Sequence, residues 1–197
     1  TRVVDVTDQP AMEAWIKNID LHHPLELVIA NAGVSADTSG RFERLDRAQR
    51  VLDVNVQGVL NTILPVLPKM VQRRAGQIAM ISSLAGFHGL PSAPAYSASK
   101  AWVKSYAEAL RGRYASEGVR INVICPGFVK SRITDHNTYK MPFLMDATEA
   151  AKIISKGLKR NKSRIAFPFP MHAMVWLIQT MPPSWSAKLL SGLPLKE

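Results

Sequence analysis

Four side chains in one short stretch have the types and spacing of a proton-transfer site: Ser82 and Ser83, then Tyr96, then Lys100. Residues four apart on an α-helix lie on one face with adjacent side chains, so Tyr96 and Lys100 are expected to share a surface. A phenol, with an ordinary pKa of about 10, is a poor acid or base at neutral pH, and burial alone makes it worse. A fixed ammonium about 5 Å away favours the phenolate and brings the group toward its working range. A lone tyrosine and lysine at this spacing is more often an ordinary helix surface, so the rest of the chain must decide. Neighbouring side chains at a strand end point to opposite faces, so only one of Ser82 and Ser83 can enter such a site.

The elements that would position these residues alternate. Short apolar runs rich in β-branched residues, at 2–6, 25–30, 77–82 and 119–124, read as buried parallel strands, with 164–167 as a fifth. Amphipathic stretches at 9–18, 47–73, 95–116 and 148–161 read as the helices between them. This alternation predicts an α/β fold: a doubly wound, Rossmann-like parallel sheet with helices on both faces, in three layers. Sites in such folds lie beyond the carboxyl ends of the strands. Asp5, Asn31, Ser83 and Pro126 all follow apolar runs, so they are expected around one crevice.

Size and composition agree with one domain over residues 1–197, with 132–197 as a substrate-pocket region and tail within it. Apolar residues make up 47% and charged residues 20%, an ordinary globular balance. The single cysteine, Cys125, permits no internal disulfide, which makes a reducing cytoplasm the expected location. The longest apolar run in the tail, from Ala173 to Ile178, is far shorter than the roughly 20 residues of a membrane span, and no spanning helix is expected. The net charge of +10 is partly local: seven basic residues lie between Lys140 and Arg164, against Asp146 and Glu149. No aromatic-interleaved basic stripe or zinc knuckle accompanies them, so no nucleic-acid partner is expected. No metal site is expected either, since the histidines (His22, His23, His88, His136, His172) lack ligand spacing.

In order, the pieces Asp5–Val6, "ANAG" from Ala30, "DVNVQG" around Asn55, Ser83, "YSASK" from Tyr96 and "CPGFVKS" from Cys125 resemble the short-chain dehydrogenase/reductase family. The resemblance runs through Ser131. It implies an NAD(P)-dependent oxidoreductase that moves a hydride between nicotinamide and a carbonyl or secondary alcohol. It also implies catalytic roles for Ser83, Tyr96, Lys100 and Asn55. Tyr96 would exchange the proton, Lys100 would support it and hold the cofactor ribose, and Ser83, favoured over Ser82 by the family's spacing, would orient the substrate oxygen. Asn55, a polar residue in an apolar helix, would hold a water of a proton relay; the alternative is an amide satisfied by nearby backbone. Cofactor contacts are implied for Asp5, Val6, Asn31, Ala32, Gly33, Tyr96, Lys100, Pro126, Gly127, Val129 and Ser131. The cofactor is NAD or NADP, with a lean to NADP. The family's opening glycine-rich turn, which receives the pyrophosphate, has no counterpart here. The sequence is accordingly expected to be roughly the last three quarters of a longer protein, with residues 2–6 unpaired and 25–30 at a bare sheet edge. A scaffold that keeps the fold without turnover is the alternative reading.

The tail carries little of the resemblance. Phe87 and His88 are expected beside Ser83 and Tyr96 at the substrate, with Phe143, Leu144, Met145, Met171 and Met174 completing an apolar pocket for a hydrophobic small molecule. The apolar spacing of residues 171–181 predicts a helix over the pocket or core, with an interfacial helix touching a membrane as the second reading. Apolar helices at 47–73 and 95–116 predict a homodimer or homotetramer.

Overall fold

The computed structural model describes residues 1–35, 43–135 and 140–191. Its core is a four-stranded parallel sheet in the order β1-β2-β3-β4: β1 (Leu27–Ala30), β2 (Gly76–Ile81), β3 (Val119–Pro126) and β4 (Arg164–Phe167). Each of the four sits on an apolar run expected to be a strand.

Strand alternation splits the core between two sheet faces. Ile78, Met80, Ile121, Val123 and Cys125 point to one side. There they meet α1 (Gln9–His22), α3 (Gly58–Ile63), α4 (Leu67–Gln72), α5 (Pro94–Arg113) and α7 (Phe169–Gln179). Ala79, Ile124, Ile165 and Phe167 meet α6 (Ala147–Lys159) on the other side. The three-layer, doubly wound arrangement stands. Among the described residues no helix covers β1 on the α6 side, so Leu27 and Ile29 remain 42% and 43% exposed.

Residues 2–6 form no strand. A parallel strand is held only by a ladder to a neighbour, and β1, which pairs with β2 alone, offers them none. They lie instead against α3: Asn61 Nδ2 donates to Val6 O at 2.9 Å. The expected helix over 47–73 is also divided. It comprises α2 (Leu45–Leu52), a π-helical turn (Asp53–Gln57), α3 and α4. The break before α4 has a local cause: Pro68 lacks an N–H and crowds the carbonyl four residues back. By length and composition the whole Leu45–Gln72 stretch could cross a membrane, but Val51, Val59, Ile63, Leu67 and Met70 bury its apolar side in the protein.

Opposite the strand ends that carry the site, buried amides lock the layers together. Asn122 accepts from Gln77 Nε2 at 2.7 Å and donates to Lys162 O at 2.7 Å and Asn161 Oδ1 at 3.2 Å. Arg111 reaches the same Asn161 Oδ1 at 3.0 Å, tying α5 to the turn before β4. Buried groups that lose such partners cost about 1–3 kcal/mol each. Asn122→Ala is therefore expected to lower unfolding free energy by about 3 kcal/mol in urea titration, whereas a loss near zero would show that the network contributes little.

Candidate active site

Helix α5 presents Tyr96 and Lys100 on one face, as the four-residue spacing requires. Lys100 is the unusual member, an ammonium only 4% exposed. Its Nζ donates to Ile81 O at 3.0 Å, at the end of β2, and stands 5.7 Å from the Tyr96 ring centroid. Burial pushes its pKa down to about 8. The nearby Cys125 thiol gives it no charge at neutral pH, because burial holds that thiol up at about 12. Lys100 is thus still mainly cationic at neutral pH, in a place where water does little to screen it.

The loop after β1 approaches this ammonium closely. A Cβ on Gly33 would lie 3.3 Å from Lys100 Nζ and 3.3 Å from Asn55 Oδ1, tighter than side chains ordinarily pack. Glycine gives that approach its room, and no special backbone angle is involved. Asn31 and Ala32, just before it, are exposed.

Asn55 is fully buried in the π-helical turn. Its Oδ1 accepts from Val34 N at 2.8 Å, and its Nδ2 donates to Val34 O at 2.9 Å and Ser99 Oγ at 3.0 Å. Both amide protons are engaged, so the side chain braces the "NAG" loop against α5. Ser99, which sequence reasoning passed over, is the hinge of the brace: its Oγ also donates to Tyr96 O at 2.7 Å. Its signal was its place inside "YSASK", one residue before Lys100.

The two serines separate as strand alternation demands. Ser82 Oγ donates to Lys100 O at 2.6 Å, fastening β2 to α5. Ser83 caps the 3₁₀ turn Leu84–Phe87, accepting from Ala85 N at 3.1 Å, and makes a long contact to Pro126 O at 3.4 Å. That contact joins the ends of β2 and β3. Beyond β3, Gly127 N donates to Phe167 O at 2.7 Å. Val129 bridges to Met145. Thr134, also missed in the sequence, is buried and pins the segment: its Oγ1 accepts from Ser131 N at 2.8 Å and donates to Val129 O at 3.0 Å. The "NAG" loop, Ser83 and the Pro126–Ser131 segment thus follow the carboxyl ends of β1, β2 and β3, the end at which Lys100 bonds Ile81 O.

The other expected residues have the following surroundings. The Asp5 carboxylate accepts from Thr7 N at 2.9 Å and Thr7 Oγ1 at 2.8 Å, which holds its pKa below the usual carboxylate value. Phe87 turns into the core, only 3% exposed, with Lys104 Nζ and the Arg164 guanidinium each 5.3 Å from its ring centroid. His88 lines a hollow of about 670 Å³ with Leu90, Ser97, Ala101 and Lys104, a lining that omits Ser83, Tyr96 and Lys100. These α5 positions point about a third of a turn away from the Tyr96 face. Met171 is buried, and Met174, at the margin of the inward face formed by Met171, Val175 and Ile178, is half exposed. His136 lies outside the described residues.

The buried ammonium makes a signed prediction. Between about pH 8 and 10.5 the unfolded chain keeps a Lys100 proton that the folded chain has lost, so stability from this group rises with pH there. Urea unfolding at several pH values is expected to show the parent gaining on Lys100→Met across that window, by about 3 kcal/mol in all. A stability difference that stays flat with pH would contradict the burial of the ammonium.

Comparison with known proteins agrees with this geometry. Residues 1–141 match the short chain dehydrogenase family. An uncharacterized oxidoreductase of Myxococcus xanthus is 39% identical over 180 residues, covering 91% of this chain and 71% of the relative. An uncharacterized oxidoreductase of Mycobacterium tuberculosis is 31% identical over 161 residues, and there the match covers 81% of this chain and 63% of the relative. The crystal structure of a short-chain dehydrogenase from Sphingobium yanoikuyae in complex with NADPH superposes with a TM-score of 0.78 at 20% identity, over 98% of this chain and 76% of the other. With strand order, Tyr96–Lys100 pairing and sequence match in agreement, the chain belongs to the short chain dehydrogenase family.

Proposed function

We propose that this chain carries the proton-transfer site of an NAD(P)-dependent oxidoreductase acting on a carbonyl or secondary alcohol. The observation that carries the reading is the buried Lys100 ammonium beside Tyr96, opposite a loop that Gly33 keeps open. The residues present fit such a cofactor: Lys100 would hold the ribose of the nicotinamide half, Pro126, Gly127, Val129 and Ser131, fixed by Thr134, would hold the nicotinamide, and the "NAG" loop would face the adenine ribose. The NADPH complex of the Sphingobium yanoikuyae neighbour supports this fit. Asp5 and Val6 would flank the adenine end. Bound nicotinamide supplies or accepts the hydride.

The chain's own residues handle the proton. In reduction the Tyr96 hydroxyl gives its proton to the oxygen that becomes an alcohol; in oxidation the phenolate takes that proton back. The Lys100 charge, poorly screened, favours the phenolate and limits the cost of the anionic form. Ser83 donates a hydrogen bond to the same oxygen, where charge develops. Asn55 and Ser99 keep the loop and helix at the spacing this requires. The exposed Phe143 and Leu144 flank Met145, which bridges to Val129, and this supports a hydrophobic substrate. The single, buried Cys125 suits a cytoplasmic setting.

The test is cofactor absorbance during turnover of matched apolar ketones and polyols by the full-length protein. Tyr96→Phe is expected to lower kcat at least about a thousandfold, taking general acid catalysis together with oxyanion stabilisation, with little change in cofactor affinity. Lys100→Ala should damage both. Tyr96→Phe with parental turnover would remove the assignment, and a preference for polyols would remove the hydrophobic substrate. The helices α2 to α5 also leave Leu45, Leu52 and Leu64 exposed, which supports a homodimer or homotetramer. Light scattering should then give a mass at least twice that of one full-length chain, and a monomer at high concentration would refute it.

A further inference from the structure

Helix α7, "FPMHAMVWLIQ", contains no charged residue and is apolar on both sides. Met171, Val175 and Ile178 pack inward. Phe169, Met174, Trp176 and Leu177 point outward and are 78%, 51%, 54% and 55% exposed. The next helix, α8 (Pro183–Leu190), also exposes apolar side chains, Trp185 at 69% and Leu189 at 56%. A helix apolar all round is normally covered on all sides, and large exposed apolar side chains gathered on successive helices mark an interaction surface.

The charge around it points to what covers it. From Ala150 to Ser191 the sequence holds seven basic residues and no Asp or Glu. That run supplies α6, β4, α7 and α8. β4 is the sheet edge, with α6 on one face and α7 on the other. Lys152, Lys156, Lys159 and Arg160 on α6 are exposed, as is Lys188 between Trp185 and Leu189. A second copy of the chain docking here would bring two ends rich in lysine and arginine together, which Coulomb repulsion opposes. An anionic headgroup layer satisfies both features, with cations above and apolar side chains below. Tryptophan favours that boundary, where its ring is buried and its N–H stays hydrated.

We propose that the outer face of α7 and α8 is a peripheral docking surface for an anionic phospholipid bilayer. The surface stands independently of the dehydrogenase reading, since none of its residues belongs to the Tyr96 site. The test is flotation of the full chain with vesicles of phosphatidylcholine alone or mixed with phosphatidylglycerol, without cofactor or substrate. Binding is expected to the mixed vesicles and to weaken with salt. It should fall about tenfold or more in Trp176→Glu/Leu177→Glu, while Trp176→Phe retains most of it. Both outer residues are exposed, so thermal melting of the double variant should match the parent. Should that variant fail to fold, quenching of parental tryptophan fluorescence by brominated lipid decides, because Trp176 and Trp185 must then lie in the bilayer. Absence of flotation with either vesicle, undiminished binding by a folded double variant, or an unfolded double variant with no quenching overturns the proposal. A parental dimer that becomes monomeric in the double variant, with no vesicle binding, assigns the face to a second copy instead.

Discussion

A lysine ammonium held out of water is the constraint around which this end of the molecule is built. Isolated buried charge is costly, and the group responds by shedding its proton more easily. Here the cost is reduced by one fixed acceptor, Ile81 O at 3.0 Å. That acceptor exists because β2 ends beneath α5, where Ser82 clamps the backbone of Lys100 itself. The Lys100 backbone and side chain are therefore tied to consecutive residues of one strand end. Helix position, strand end and ammonium position form one rigid unit.

The second support comes from the other side. Gly33 comes within 3.3 Å of Lys100 Nζ, measured from where its Cβ would stand, and Asn55 holds that loop by three bonds to Val34 and Ser99. The π-helical turn gives Asn55 its direction, since such a turn rotates side chains out of regular register and recurs where a helix serves a site. The physical role visible here is to keep the loop from collapsing onto the ammonium or drifting from it.

Much of this was legible in the sequence, and the rest was hidden for identifiable reasons. Four strands and the Tyr96–Lys100 face followed from hydrophobic period and helical spacing, because both depend on neighbours in sequence. Residues 2–6 had strand composition yet lie against α3, since a strand is completed by its partner and composition does not name one. The brace through Ser99 and the pin at Thr134 join residues 44 and 3–5 apart through single hydroxyls, which no periodicity records. Phe87 and His88 have surroundings that their place after Ser83 in sequence does not reveal. The 3₁₀ turn after Ser83 turns Phe87 into the core between Lys104 and Arg164, and leaves His88 on a neighbouring face of α5.

The tail shows how an element with little sequence resemblance still belongs to the site's architecture. Gly127 donates to Phe167 O, so the turn after β3 is bonded to the end of β4. A Cβ on Gly127 would stand 2.8 Å from Met171 Sδ, so α7 packs directly on that turn and any larger residue there would make Met171 shift. The segment carrying Val129 and Ser131 starts two residues later. Its position is therefore set from behind by the inward face of the same helix whose outward face is bare. Met171 and Met174, three residues apart, divide these duties: one fixes the wall of the crevice and the other meets the surroundings. A displacement of α7 would have to move the wall as well, because packed side chains transmit strain and have no slack to absorb it.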